Sequence, residues 1–383
     1  MRIAIVSDTH LGYARFEKDA FVQAERALLD ASEKADIILF AGDVFDVKIP
    51  KLETLDEAIS IFRKVKVPVF AIHGNHERRT KDQVNPAKLL SSAGVLHYLH
   101  SVSTSYEYHD EKIQILGIGN VPDEYADEAV KNCMKRFVPE KGAFKILLIH
   151  QAIRELIPHG KNELSLEYLE SLGFDLIVNG HIHGKEIRMG GKFIIPGSTV
   201  ITQLKKEEME QKGYFIFDTA TRQSDFIPIE CRLFFFEEIE VKDASSNEVL
   251  EAVRNKIEEL RSRGPDALIA LKINGALKEG LSAKDLRIPD YEHVFIDNRL
   301  DTKSLDAKLE TIRNLRQEKL SVRELALKEL EEKTKGKITS FDSSNLFAKL
   351  VEGADETLAY LEKENDKTKN EGKDDHGETS TGS

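Results

Sequence analysis

Five short apolar runs in the first half of this 383-residue chain each lead into side chains that can bind a metal ion. Arg2 to Ser7 leads to Asp8 and His10, Ile37 to Ala41 to Asp43, and Val67 to Ile72 to Gly74, Asn75 and His76. Phe144 to Ile149 leads to His150, and Phe174 to Val178 to His181 and His183. Such runs are too short for independent helices, which predicts strands buried on both faces of a parallel sheet. In open α/β sheets ligands gather at the carboxyl ends of the strands, where loops converge on a rigid frame.

The donors delivered this way are Asp8, His10, Asp43, Asn75, His150, His181 and His183. A set of nitrogen and oxygen donors with no thiolate fits manganese, iron or zinc in a reactive site better than a structural zinc knot. Asp43 ends the central run, and a carboxylate shared there would hold two ions roughly 3.5 to 4 Å apart, the spacing that phosphate-ester displacement uses.

Between the runs lie segments of helical periodicity, such as Phe21, Ala24, Leu28 and Ala31. Strand and helix alternate in this way to about Ile229, which predicts one layered α/β domain over 1–230. After Cys231 the pattern restarts as a small β-α-β-β unit over 231–300, its helix opened by a capping box of Ser245 with Glu248. A charged linker over 301–320 leads to two amphipathic helices within 321–363, the first opened by Ser321 with Glu324. The tail over 364–383 has the composition of a disordered segment.

Cys133 and Cys231 stand far apart with no C-x-x-C pair, which argues against a disulfide framework or a cysteine zinc site. No apolar run reaches the length of a membrane span and no signal sequence opens the chain, so the expectation is a cytoplasmic protein with no membrane partner. The net charge of −12 means that any nucleic-acid surface must be local, because DNA affinity comes mainly from neutralised phosphates.

Asp8-Thr9-His10, Gly42-Asp43, Gly74-Asn75-His76, His150 and Gly180-His181-Ile182-His183 resemble the motifs of the calcineurin-like metallophosphoesterase superfamily. Leu11-Gly12 and Phe45-Asp46 with Pro50 resemble, more narrowly, the SbcD-type break-repair nucleases, the Mre-eleven family. The resemblance implies an α/β fold: a layered β-sandwich flanked by helices, with a small α+β DNA-capping domain and a C-terminal helix pair. It implies two manganese ions per subunit, one held by Asp8, His10, Asp43 and His183, the other by Asp43, Asn75, His150 and His181. It makes His76 a catalytic residue that contacts the scissile phosphate or assists the leaving oxygen. Two positions depart from the family pattern: Asp46 stands where a histidine is common, and Glu77 where an aspartate is. The Ser/Thr phosphatases share Gly-Asn-His-Glu, but no arginine follows Asp46 to clamp a monoester phosphate.

The activity so implied is a DNA exo- and endonuclease of double-strand-break repair, nucleoid-associated. A small-molecule phosphodiesterase and a non-catalytic scaffold are the rival readings. Arg78, Arg79 and Lys81 after the His76 loop, with Lys48 and Lys51 after the Asp43 loop, are candidate DNA phosphate contacts, and Ser198 in the Pro196-Gly197-Ser198 turn is a further one. In the C-terminal helices Leu325 and Leu330, and then Phe347, Leu350, Val351, Leu358 and Leu361, form apolar stripes too short to bury one another. The resemblance makes them the docking element for an SMC-like ABC ATPase of the SbcC type, within a heterotetramer built on a homodimer of this chain.

Overall fold

The structure, a computed structural model, describes residues 1–80, 83–157, 164–278, 286–300, 343–353, 357–358 and 360–361. The chain divides into two compact units, one of Met1–Asn274 with Lys284–Asn298 and the other of Gly275–Ala283 with Arg299–Ser383.

The first unit is built on two six-stranded sheets. At the centre of the first sheet run β1 (Arg2–Val6), β2 (Ile37–Phe40) and β3 (Val69–Ala71), mutually parallel. The short β4 (His97–Tyr98) extends one side, and the hairpin of β11 (Gly213–Asp218) and β12 (Gln223–Pro228) extends the other, giving the order β12-β11-β1-β2-β3-β4. The second sheet is ordered β5-β6-β7-β8-β10-β9, from β5 (Val102–Tyr108), β6 (Glu111–Ile118), β7 (Phe144–Ile149), β8 (Leu176–Asn179), β9 (Glu186–Arg188) and β10 (Phe193–Ile195).

Side chains alternate along a strand, so each central strand serves two cores at once. Ile3, Ile5, Ile37, Leu39, Phe70, Ile146, Leu148, Leu176 and Val178 fill the space between the sheets. Ala4, Val6, Ile38, Phe40 and Ala71 face the other way, onto α1 (Glu17–Lys34), α2 (Leu52–Lys64) and α3 (Pro86–Ser92). Leu147, Ile149, Ile177, Phe193 and Ile195 pack against α4 (Asp123–Met134) and α5 (Leu166–Ser171). The result is a helix-sheet-sheet-helix sandwich, and double-sided burial is why these strands read as unbroken apolar runs.

Two strands differ from the sequence reading for local reasons. β3 begins at Val69, two residues later than the apolar run, because Pro68 has no N–H to give a ladder. β5 is nearly all polar and mostly exposed, so hydrophobicity does not mark it; its edge position is made by a hairpin whose turn residues His109 and Asp110 both adopt positive φ.

The small sheet β13-β14-β15 comprises β13 (Phe234–Ala244), β14 (Leu268–Leu277) and β15 (Val294–Leu300), with α6 (Ser246–Arg263) between the first two. Ser245 opens α6 with the expected capping box. Phe234, Leu268 and Ala270 pack with Phe16, Ala20, Val200 and Ile201 of the sandwich, and Phe295 meets Phe16 edge-on at 5.8 Å. In the second unit, α7 (Ser343–Glu352) is the described helix. Among the described residues, no helix is long and apolar enough to cross a membrane.

The interior between the sheets carries the frame on which the strand ends are fixed. Leu148 is fully buried there, and Leu148→Ala is expected to lower unfolding stability by about 2–5 kcal/mol, measured by chemical denaturation; a loss within experimental error would contradict this packing.

Candidate metal centre

The seven side chains named as donors lie together at the carboxyl ends of β1, β2, β3, β7 and β8. Backbone hydrogen bonds tie the loops to one another: Asp8 N–H donates to Gly42 O at 3.0 Å, and His10 N–H to Asp43 O at 3.1 Å. Asp8, His10, Asp43 and His181 all sit at positive φ, 53°, 46°, 52° and 79°. Side-chain-bearing residues held there cost about 1–3 kcal/mol each, so the fold is paying in strain to aim these groups inward.

The neighbouring glycines are fixed by close approach. A Cβ on Gly74 would lie 2.0 Å from Asp43 Oδ1, and one on Gly180 would lie 2.2 Å from the Ala41 carbonyl oxygen. Gly42, at φ 93°, would place a Cβ 2.5 Å from His150 Nδ1.

Counting protons shows what the centre lacks. His150 Nδ1 lies 2.7 Å from the carbonyl oxygen of Ala41, which only accepts, so this nitrogen carries the hydrogen and Nε2 turns to the centre. There Nε2 meets Asn75 Oδ1 at 3.0 Å and Asp43 Oδ2 at 3.3 Å, and the same Asn75 oxygen lies 2.8 Å from His181 Nδ1. On the other side, His10 Nδ1 donates to the Asp46 carboxylate at 3.1 Å. His10 Nε2 and His183 Nε2 then face each other at 3.2 Å, with Asp8 Oδ1 at 3.9 and 3.8 Å from them. Asp8 Oδ1 is buried without a hydrogen-bond partner. Around His10, His183 and Asp8 lone pairs are thus turned on lone pairs, the Asn75, His150, His181 and Asp43 atoms adjoin them, and divalent cations are what such a donor set fits.

Electrostatics sort the imidazoles of the centre into neutral and charged ones. Burial pushes the imidazoles of His181 down to about 4 and His183 down to about 3, which keeps both neutral and able to ligate near pH 7. Burial pushes the Asp8 carboxyl up to about 6, the response of a buried acid short of positive charge. For Asp43 burial acts in the same direction, but His150 beside it and the hydrogen bond between them prevail and hold it below the usual range; the same contact, opposed by burial, pushes the His150 imidazole up to about 9, which makes His150 the positive partner of Asp43. Asp43 belongs to two of the three donor groupings, with His10 and His76 in one and with Asp8 and His150 in the other.

Residues 1–185 match the calcineurin-like phosphoesterase family. The double-strand break repair protein MRE11 of Encephalitozoon cuniculi is 29% identical over 56% of this chain and 45% of its own length. The DNA double-strand break repair protein Mre11 of Methanocaldococcus jannaschii is 28% identical over 80% of this chain and 88% of its own. The protein of that name from Saccharolobus solfataricus is 29% identical over 59% of this chain and 60% of its own. The chain carries a calcineurin-like phosphoesterase domain over residues 1–185 and is similar over most of its length to a protein named Mre11. It spans less than two thirds of the first and third of these relatives and most of the second.

Around the centre of this phosphoesterase the other expected site residues separate. His76 is half-buried, donates its backbone N–H to Asp43 Oδ1 at 3.0 Å, and has Nδ1 2.8 Å from Asp46 O and 3.3 Å from Asp46 Oδ1. That hydrogen bonding to Asp46, opposed by burial, pushes the His76 imidazole up to about 9. Lys48, Arg78 and Arg79 line one groove of about 450 Å³ with Ile49, Thr80, Gln83 and Pro122. Lys51 instead lines a different groove, with Glu17, Lys18 and Phe21 of α1.

Ser198 needs correction as a DNA contact. It is buried, its hydroxyl donates to Val200 O at 2.8 Å and accepts from Lys212 Nζ at 3.0 Å, and its backbone N–H donates to His183 O at 3.1 Å. Every donor it has is used inside the fold. Lys81, Leu325 and Leu330 lie outside the described residues, as does the side chain of Val351. Leu350 and Leu358 are exposed, at 53% and 61%, while Phe347 and Leu361 are half-buried.

Sequence reasoning missed the roles of Asp46 and Glu77. One Asp46 oxygen lies within reach of both His10 and His76. Glu77 is fully buried and accepts from Phe45 N–H at 2.9 Å and Gly74 N–H at 3.1 Å, so it binds the Asp43 loop to the Asn75 loop; burial pushes its carboxyl up to about 8. The one signal available was that both positions depart from the family pattern.

The collision at Gly74 provides a direct check. Gly74→Ala forces Asp43 out of place and is expected to weaken divalent-metal binding at least about tenfold, read by calorimetric titration. Gly94→Ala, where φ is 75° and a Cβ strains the backbone but meets nothing within 4 Å, is expected to lose some stability yet bind as the wild type does; equal affinity in both variants would contradict the close approach.

Proposed function

We propose that the chain is a manganese-dependent DNA nuclease of double-strand-break repair, an exo- and endonuclease that hydrolyses phosphodiester bonds at a centre of two ions. The observation that carries the reading is the pair of adjoining donor clusters, His10 and His183 with Asp8, and Asn75 with His150 and His181, with Asp43 between them and His76 half-exposed beside them. Asp8, His10, Asp43 and His183 would hold one ion, and Asp43, Asn75, His150 and His181 the other. Bound divalent ions supply Lewis acidity toward phosphoryl oxygens and make water a nucleophile at neutral pH.

The chain's own residues supply the rest. His76 Nδ1 is held by Asp46, which leaves Nε2 for the substrate and keeps the ring protonated near neutral pH, the state needed to donate to a phosphate or to a leaving oxygen. Lys48, Arg78 and Arg79 in their shared groove offer positive charge to a strand backbone on a chain whose net charge is otherwise −12. Arg78 is held by a hydrogen bond from Nη1 to Asn120 Oδ1 at 2.7 Å, so little freedom remains to be lost when a phosphate binds. The complete donor set speaks against a non-catalytic scaffold. The relatives named for break repair, and a basic groove beside the centre, speak for DNA over a small phosphodiester.

The partnership proposed is with an SMC-like ABC ATPase of the SbcC type, engaged through 321–363, in a heterotetramer built on a homodimer; it rests on the resemblance and on the exposed Leu350 and Leu358. His76→Ala is expected to retain both ions while manganese-dependent DNA cleavage falls by ~100- to 10,000-fold. Wild-type turnover in the metal-replete variant would remove His76 from the chemistry. Hydrolysis of a generic nitrophenyl phosphodiester with no DNA cleavage in the wild type would favour the small-substrate reading.

A further inference from the structure

Behind His183 lies a run of hydrogen bonds whose direction is fixed at every link. Lys212 is buried and has only hydrogens to give: its Nζ donates to Glu208 Oε2 at 2.5 Å and to Ser198 Oγ at 3.0 Å. Ser198 passes its own hydrogen to Val200 O. The second oxygen of the buried Glu208, Oε1, accepts from the backbone N–H of Gln203 at 3.2 Å and of Thr202 at 3.4 Å, so it is an acceptor whatever else happens. Thr202 Oγ1 lies 2.8 Å from the same oxygen and must spend its one hydrogen there. The remaining contact of Thr202 Oγ1 is with His183 Nδ1. With its hydrogen committed, the hydroxyl can only accept, and His183 Nδ1 has to be the donor.

We propose that Thr202, Glu208 and Lys212 are positioning residues that lock His183 with its hydrogen on Nδ1, so that Nε2 is the bare nitrogen offered to the metal centre. This rests on the two-ion reading above. Neither end of the relay is near the other in sequence, and the buried Lys212–Glu208 pair, costly to desolvate, gains a purpose: it holds a carboxylate oxygen in place as the terminal acceptor. A histidine ligand that donates its outer N–H is oriented and made more basic, and removing such a partner typically weakens metal binding ~10- to 100-fold. The same logic serves His150 through the Ala41 carbonyl and His10 through Asp46. For His183 the acceptor is a hydroxyl, which could face either way, and this is why it needs Glu208 behind it.

The test uses the full chain and manganese alone as the probe. Thr202→Val keeps the shape and removes the hydroxyl; calorimetric titration is expected to show one manganese weakened ~10- to 100-fold and the other unchanged, with Thr202→Ser restoring wild-type affinity. Nitrogen-15 NMR of the metal-free wild type is expected to show His183 protonated on Nδ1, a readout that bulk packing would not set. Wild-type affinity for both ions in Thr202→Val, or an Nε2-protonated His183 in the wild type, would overturn the relay. Failure of the wild type itself to bind manganese would instead overturn the two-ion reading.

Discussion

Electrostatic need organises this molecule more than any single packing contact. At the carboxyl ends of five strands the chain buries two aspartates and several imidazole lone pairs within a few ångströms of one another, with Asp8 Oδ1 left unpartnered. Burying like-polarity groups together is unfavourable unless positive charge arrives, and among the described residues His150 beside Asp43 supplies only part of it. The sandwich is therefore the holder of an arrangement that cations complete. The positive φ angles at Asp8, His10, Asp43 and His181 have the same origin, since strain of that kind persists only where the surrounding structure over-determines it.

What over-determines it is the double-sided burial of the central strands. Ile5 and Leu39 face the opposing sheet while Val6 and Phe40 face the helices, so the strands cannot slip by one residue without exchanging both cores. Fixed registers carry the loops, and loop-to-loop ties such as Glu77 to Phe45 and Gly74 convert that rigidity into donor placement. The groove of Lys48, Arg78 and Arg79 grows from the same two loops, which puts positive charge beside the donor cluster without a globally basic protein.

The legible part of the site was the part written in local pattern. A buried strand followed by a short Asp- or His-bearing loop leaves a recognisable signature, and the seven side chains that lie together at the strand ends were readable from it. The polar edge strand β5 left none, because hydrogen bonding to β6 makes it a strand without burying an apolar face. Ser198 misled for the opposite reason: a Pro-Gly-Ser turn looks exposed, yet Lys212 and Val200 enclose it. Thr202, Glu208 and Lys212 carry no motif, since their meaning lies in the direction of hydrogen bonds that reach back to His183. Asp46 and Glu77 were visible as departures, but what they hold became clear only when the loops were brought together.

The central claim is that Asp43 is the carboxylate shared by two metal ions. Elemental analysis of the purified, manganese-equilibrated chain tests it most directly. The account predicts two tightly held ions per wild-type chain and none in Asp43→Ala, because each cluster loses the same bridging group. Two tightly held ions surviving in Asp43→Ala would contradict it.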